Sequence, residues 1–102
     1  MPSLESTIEV QKERINILMN ELKDLLKGDI YDIVIDFHTD RNILQRCFEL
    51  YEEITKACLT VSYFSYALDN DEDGERYENL AETVNKGHQK LWLMCKKENI
   101  GC

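Results

Sequence analysis

Helix-breaking residues are scarce in this chain. The one proline is Pro2, and the four glycines stand at positions 28, 74, 87 and 101, so long stretches carry no punctuation and long helices are predicted. The chain has no GxGxxG, no GxxxxGK followed by Ser or Thr, and no GxSxG. Dinucleotide, P-loop and hydrolase-elbow readings therefore fail. No apolar run approaches the ~18 residues that span a bilayer, and Met1-Pro2-Ser3-Leu4-Glu5 has neither a basic nor an apolar leader segment, so the expectation is a cytoplasmic protein with no membrane contact. Basic charge is also short. Residues 1–51 and 52–102 each hold 6 basic and 10 acidic side chains, for a formal net charge of -8, which leaves no basic half to neutralise phosphates. Direct nucleic-acid binding is not expected, whereas a partner with a basic surface suits the charge.

The four cysteines show no CxxC spacing. Cys47 and Cys58 would stand about 16 Å apart on one helix, too far to bridge. Cys47, Cys58 and Cys95 read as reduced core thiols and Cys102 as a free terminal one. His38 and His88 have no His or Cys three or four residues on, so a local zinc site is not expected, and both read as surface or helix-end residues.

With 102 residues, 43% of them hydrophobic and 31% charged, residues 1–102 suit a single domain around one core. Ser3 is a plausible N-cap. Behind it Leu4, Ile8, Ile15, Leu18, Leu22 and Leu25 recur in steps of three and four with Gln11 interrupting, which predicts a helix over about 4–27 stopped by Gly28. Residues 29–38 fit a helix face (Ile30, Ile33, Val34, Phe37) and also a strand (Tyr31, Ile33, Ile35, Phe37). A short helix is the reading taken, because a lone strand would have no partner, while Asp29 can cap a helix and Thr39-Asp40 the next.

From about 40 to 68 the series Leu44, Cys47, Tyr51, Ile54, Cys58, Val61, Ser65, Leu68 is unbroken. Phe48, Leu59, Phe64 and Tyr66 add a second apolar face, which neighbours on both sides or a second subunit must cover. An acidic loop, Asp69-Asn-Asp-Glu-Asp-Gly74, precedes a last helix over about 75–97 with Tyr77, Leu80, Ala81, Val84, Leu91, Met94 and Cys95 inward. The expected fold is all-α: an antiparallel bundle of three long helices plus one short helix, with the first and central helices forming a homodimer seam.

Asp69, Asp71, Asp73 and Gly74 copy the first half of a calcium loop, in which alternate carboxylates converge on the ion. Arg76 and Leu80 then stand where an apolar residue and a bidentate Glu belong. A weak calcium-binding helix-loop-helix is one reading, and a solvated acidic turn that caps the next helix is the other. Carboxylates also gather as Glu49, Glu52 and Glu53 on the central helix and Glu75, Glu78 and Glu82 on the last. Residues three or four apart share a helix face, and two such faces can hold magnesium against phosphates.

The stretch Leu44-Gln-Arg-Cys-Phe-Glu-Leu-Tyr-Glu-Glu-Ile-Thr-Lys-Ala-Cys58, then the acidic loop, Tyr77-Glu-Asn-Leu-Ala-Glu-Thr-Val-Asn-Lys86 and Lys97-Glu-Asn-Ile100 resembles MazG-like all-α nucleotide pyrophosphohydrolases, particularly short phage-type members, over about residues 42–100. The resemblance implies an oligomeric helical bundle in which EExxE and ExxD motifs bind magnesium for nucleoside-triphosphate hydrolysis. Glu52 and Glu53 fall on the first two carboxylates of EExxE, but the third position is Lys56. Aligning Asn79-Leu-Ala-Glu82 with the family's NLAE run puts Thr83 and Lys86 on ExxD. Lysines at ligand positions oppose the ion, so the implied protein is a non-catalytic relative. In the alternative, a magnesium-dependent pyrophosphohydrolase, Glu49, Glu52, Glu53 and Glu82 would be the ligands.

Tyr63, Tyr66 and Trp92 lie off the main seams, and large aromatics outside a core are favoured interface anchors. With Glu72, Glu75 and Glu78 they outline the leading reading: a non-enzymatic acidic helical protein, a phage-type accessory or inhibitor, that needs no cofactor and binds a basic protein partner. If phage-encoded, it would work in the host cytoplasm.

Overall fold

The computed structural model describes residues 3–27, 30 and 41–98. They form three helices, α1 (Leu4–Leu26), α2 (Arg41–Ala67) and α3 (Asp71–Glu98), with no strand among the described residues. The all-α expectation holds. The short helix expected over residues 29–38 lies outside the described residues, as do His38, the Thr39-Asp40 cap and Cys102; within that segment only Ile30 is described.

α1 begins where expected, with the Ser6 N–H donating to Ser3 Oγ over 3.1 Å. Its end differs in detail. Lys27 takes the left-handed conformation (φ 56°, ψ 42°) and its N–H closes on the carbonyl of Lys23, a role the glycine preference had assigned to Gly28, which lies outside the described residues. α1 buries Ile8, Ile15, Leu18 and Leu22, the middle of the predicted stripe, while Leu4 at its first turn is exposed.

α2 carries the core. Leu44, Cys47, Tyr51, Ile54, Cys58, Val61 and Ser65 are all buried, and the seam stops there, because Leu68 has already left the helix and is exposed. Leu50, Ala57 and Ser62 are buried too, since α2 packs against α1 on one side and α3 on the other. Phe48, Leu59 and Phe64 are half-buried against the core edge, and Tyr66 is exposed. Cross-helix pairs fix the register: Arg46 reaches Glu21 and Arg14 reaches Glu53, while Ser62 Oγ donates to the carbonyl of Gly74 and Phe48 meets His88.

α3 starts four residues earlier than the acidic-loop reading predicted. Asn70 caps it: its Oδ1 accepts from the Asp73 N–H at 3.3 Å and its carbonyl from the Gly74 N–H at 3.0 Å. Asp71, Glu72 and Asp73 then fill the first turn, where negative charge complements the positive end of the helix dipole. The residues read as loop are therefore mostly helix. Ala81, Val84, Leu91 and Cys95 are buried, and Tyr77, Leu80 and Met94 are half-buried beside them.

α1 and α3 each pack on α2. Among the described residues they meet through long side chains at one end, where Lys12 bonds Asp73 at 3.0 Å and lies 5.7 Å over the Tyr77 ring. The result is a rod of 46 × 21 × 20 Å with a radius of gyration of 15.0 Å, against about 13 Å for a compact domain of this length. Among the described residues no helix is long and apolar enough to cross a membrane.

Candidate functional site

The α2–α3 turn organises the acidic end of the rod. The Asp69 N–H bonds the Tyr66 carbonyl and the Asn70 N–H bonds the Ser65 carbonyl, with Asp69 left-handed at φ 59°. This paired closure is the motif that ends helices with a glycine at the left-handed position; here an aspartate occupies it. Beyond the turn, Tyr66 folds over Gly74 and donates its phenol to Glu78 at 3.1 Å. Burial, that hydrogen bond and the charges of Glu78, Glu75 and Asp71 all push the Tyr66 pKa up. Tyr63, one helical turn earlier, is the most exposed large hydrophobic side chain described, at 62%.

No cation pairs with Asp69, Asp71, Glu72, Glu75 or Glu78 among the described residues. Three of these carboxylates, Glu78, Glu75 and Asp71, act on Tyr66, and Glu78 accepts its phenol hydrogen. Trp92, expected on the same face, stands about 20 Å further along α3 than Glu78 at 1.5 Å per residue. It is half-exposed, with the Lys96 ammonium 5.0 Å from its ring centroid. The interface set read from sequence therefore divides into an acidic tyrosine patch and a separate, cation-capped tryptophan.

The carboxylates proposed for magnesium are engaged elsewhere. Glu49 meets Arg46 at 3.4 Å, Glu52 meets Lys56 at 3.1 Å, Glu53 meets Arg14 of α1 at 3.8 Å, and Glu82 meets Lys86 at 4.0 Å. Glu53 is turned towards α1 rather than α3. Among the described residues no three His, Cys, Asp or Glu side chains group so as to hold a metal ion. The calcium spacing is not realised as a loop either. Asp69 closes α2, Asp71 opens α3, and Asp73 takes the Lys12 ammonium at 3.0 Å and the Asn70 amide at 3.2 Å. The Lys12 hydrogen bond holds the Asp73 carboxyl below its ordinary value, and Asp73 in turn raises the Lys12 pKa.

One feature of the same end has no counterpart in the sequence reading. Glu5, Ile8, Glu9 and Lys12 of α1, Ser65 of α2, Leu68 and Asn70 of the α2–α3 turn, and Asp73 of α3 line an open pocket of about 320 Å³. Ser65 is 1% exposed, and its buried Oγ has no hydrogen-bond partner.

His88 was also missed. It sits half-buried in the α2–α3 seam, its ring 5.8 Å from that of Tyr51 at an interplanar angle of 6°. It falls in the three-four series Ala81, Val84, His88, Leu91, Cys95, and that register was the available signal. Cys47, Cys58 and Cys95 are buried and form no disulfide among the described residues; burial pushes the Cys47 thiol up to about 11 and Cys58 up to about 12. Such thiols are poor nucleophiles at neutral pH.

No family model, no curated protein and no solved structure matches the chain.

Proposed function

We propose that this chain is a non-enzymatic binding protein, an antiparallel three-helix bundle working in the cytoplasm, whose acidic end docks on a protein partner with a basic surface and inhibits it. The observation that carries this reading is the contrast between two sets of carboxylates. Glu49, Glu52, Glu53 and Glu82 each have a cation beside them, whereas Asp69, Asp71, Glu72, Glu75 and Glu78 have none among the described residues, and Glu78, Glu75 and Asp71 act on the exposed Tyr66. Unpaired charge of one sign steers association with the opposite sign, and exposed tyrosines supply contact area at low entropic cost.

The same observation favours the reading of a phage-type MazG-like relative that has lost the ligand set over the reading of an active pyrophosphohydrolase. A homodimer, its seam on α1 and α2, completes the proposal. The test is capture of a basic protein on the immobilised full chain. Retention should fall steeply between low and high salt, and the triple variant Glu72→Gln, Glu75→Gln, Glu78→Gln should lose it while keeping its helical signal. Salt-independent capture, or an unaffected triple variant, would count against the acidic face. Magnesium-dependent pyrophosphate release from any common nucleoside triphosphate would overturn the non-enzymatic reading.

A further inference from the structure

α1 carries two apolar side chains that its own fold does not use. Val10 and Ile17 follow the buried Ile8 and Ile15 by two residues, about 200° round the helix, so they stand on the face turned from the core. Each is 59% exposed, and neither belongs to the core cluster. Local structure does not call for them either, because β-branched side chains are poorer helix formers than the alanine or lysine that an exposed face can carry. Glu13 and Arg14 lie between them. Glu13 has no cation beside it among the described residues, and the half-exposed Arg14 holds Glu53 of α2 loosely, at 3.8 Å.

Charge selects what can cover this face. The chain has a net charge of -8 and acidic side chains fill the first turn of α3, so the acidic end repels a second copy. The strip from Val10 to Ile17 differs. Of its charged residues Lys12 is turned to Asp73 of α3, and what remains is one acid and one base. A neutral strip gives a basic partner no hold, but it is complementary to itself. When two copies of α1 cross antiparallel about a two-fold axis between residues 13 and 14, residues equally far from the axis come together. Val10 then meets Ile17 and Glu13 meets Arg14, each contact made twice, as a two-fold interface requires. A parallel pairing would instead set Glu13 on Glu13 and Arg14 on Arg14.

We infer that a second copy of this chain covers the outer face of α1, running antiparallel, with Val10 and Ile17 as the apolar contacts and Glu13 and Arg14 setting direction and register. Exposed ion pairs add little affinity, and one pair of helices buries less than the ~1,200 Å² of a standard interface. The dimer is therefore weak and depends on concentration. This inference rests on the homodimer reading given above, and narrows its seam to α1.

The experiment is sedimentation of the reduced full chain from micromolar to near-millimolar concentration, with circular dichroism of every variant as the check on folding. The average mass should rise from monomer towards dimer. Ile17→Glu, at an exposed site, should weaken association about tenfold or more. Glu13→Arg should weaken it although it lowers the net negative charge, because it sets arginine against arginine across the axis; Arg14→Glu should do the same with two glutamates. The double swap, and an equal mixture of the two single variants, should restore it. A dimer that survives Ile17→Glu and both single swaps, or a double swap as weak as the singles, would overturn the α1 pairing alone. A monomer at every concentration would overturn the homodimer reading and this inference with it, and would leave the face to a different protein.

Discussion

The His88 imidazole lies flat on the Tyr51 ring, within 6° of parallel, and burial holds its pKa below 6.5 against the opposing charge of Glu52. Between that lowered value and 6.5 the unfolded chain binds more protons than the folded one, so His88 lowers stability as pH falls below 6.5 and costs nothing above it. Glu21, held below 4.5 by its hydrogen bond from Arg46, and Asp73, held below 3.8 by Lys12, have the other sign for an acid. Their contribution is present above those values and is lost as pH falls through the lowered ones. Urea midpoints taken from pH 8 to 3 should therefore fall in two stages, and His88→Gln should flatten only the upper stage.

Two glycines of α3 should respond in opposite ways to alanine. A Cβ at Gly87 would stand 3.0 Å from the Ile30 carbonyl oxygen and 3.1 Å from Cε1 of the buried Tyr51, neighbours with little room to yield. The helix-propensity gain of about 1 kcal/mol is then outweighed by overpacking of about 1–3 kcal/mol. At Gly74 the nearest atoms to the Cβ would be those of the Tyr66 ring, at 2.8 Å, and that exposed side chain can swing away. Thermal unfolding should show Gly87→Ala melting lower and Gly74→Ala unchanged or higher.

Asp69 holds the left-handed position of the α2–α3 turn, which costs an L-residue about 1–2 kcal/mol. Glycine avoids that cost at an entropic penalty of roughly 0.5–1 kcal/mol. Asp69→Gly should leave the protein as stable or more stable by up to about 1 kcal/mol, measured by chemical denaturation. Marked destabilisation would mean that the carboxylate, not the backbone, is what the turn needs.

Removing the Tyr51 hydroxyl leaves the Ile30 carbonyl without the donor that now bonds it at 2.5 Å. An orphaned buried acceptor costs roughly 1–3 kcal/mol, so Tyr51→Phe should lower Tm by several degrees. An unchanged Tm would show that the carbonyl finds another donor.

Cys47, with its thiol near 11, and Cys58, near 12, should be almost wholly protonated at pH 8. Alkylation of either, followed by mass spectrometry, should track global unfolding, and label entering the native protein at its full intrinsic rate would contradict the burial.

The three-four spacing made most of the core legible, because Leu44 through Ser65 repeat as a helix face must and every one is buried. What it could not show was which sides of α2 a neighbour would cover; hence Leu50 and Ala57 were passed over. His88, with no ligand partner three or four residues on, reads as a surface or helix-end residue, although its register is that of the core. The acidic run from Asp69 to Gly74 looked like a loop by composition, but one residue, Asn70, caps α3 and turns the rest into its first turn. The candidate site depended on register between helices, which no single strip of sequence carries. That is why Trp92 was grouped with Tyr63 and Tyr66, and why the pocket beneath Ser65, drawn from three separate segments, gave no sign at all.

Because α2 is the common member of both packed pairs, each helix pairs with its immediate neighbour in the chain. Few contacts then require distant segments to find one another before the nearer ones have formed, and the topology belongs with the low-contact-order folds that close in microseconds to milliseconds. Among the described residues α1 reaches α3 through the Lys12 contacts, so the wall of the Ser65 pocket that α1 supplies is held chiefly by the burial of Ile8, Ile15, Leu18 and Leu22 against α2, and opening it would first have to expose that core.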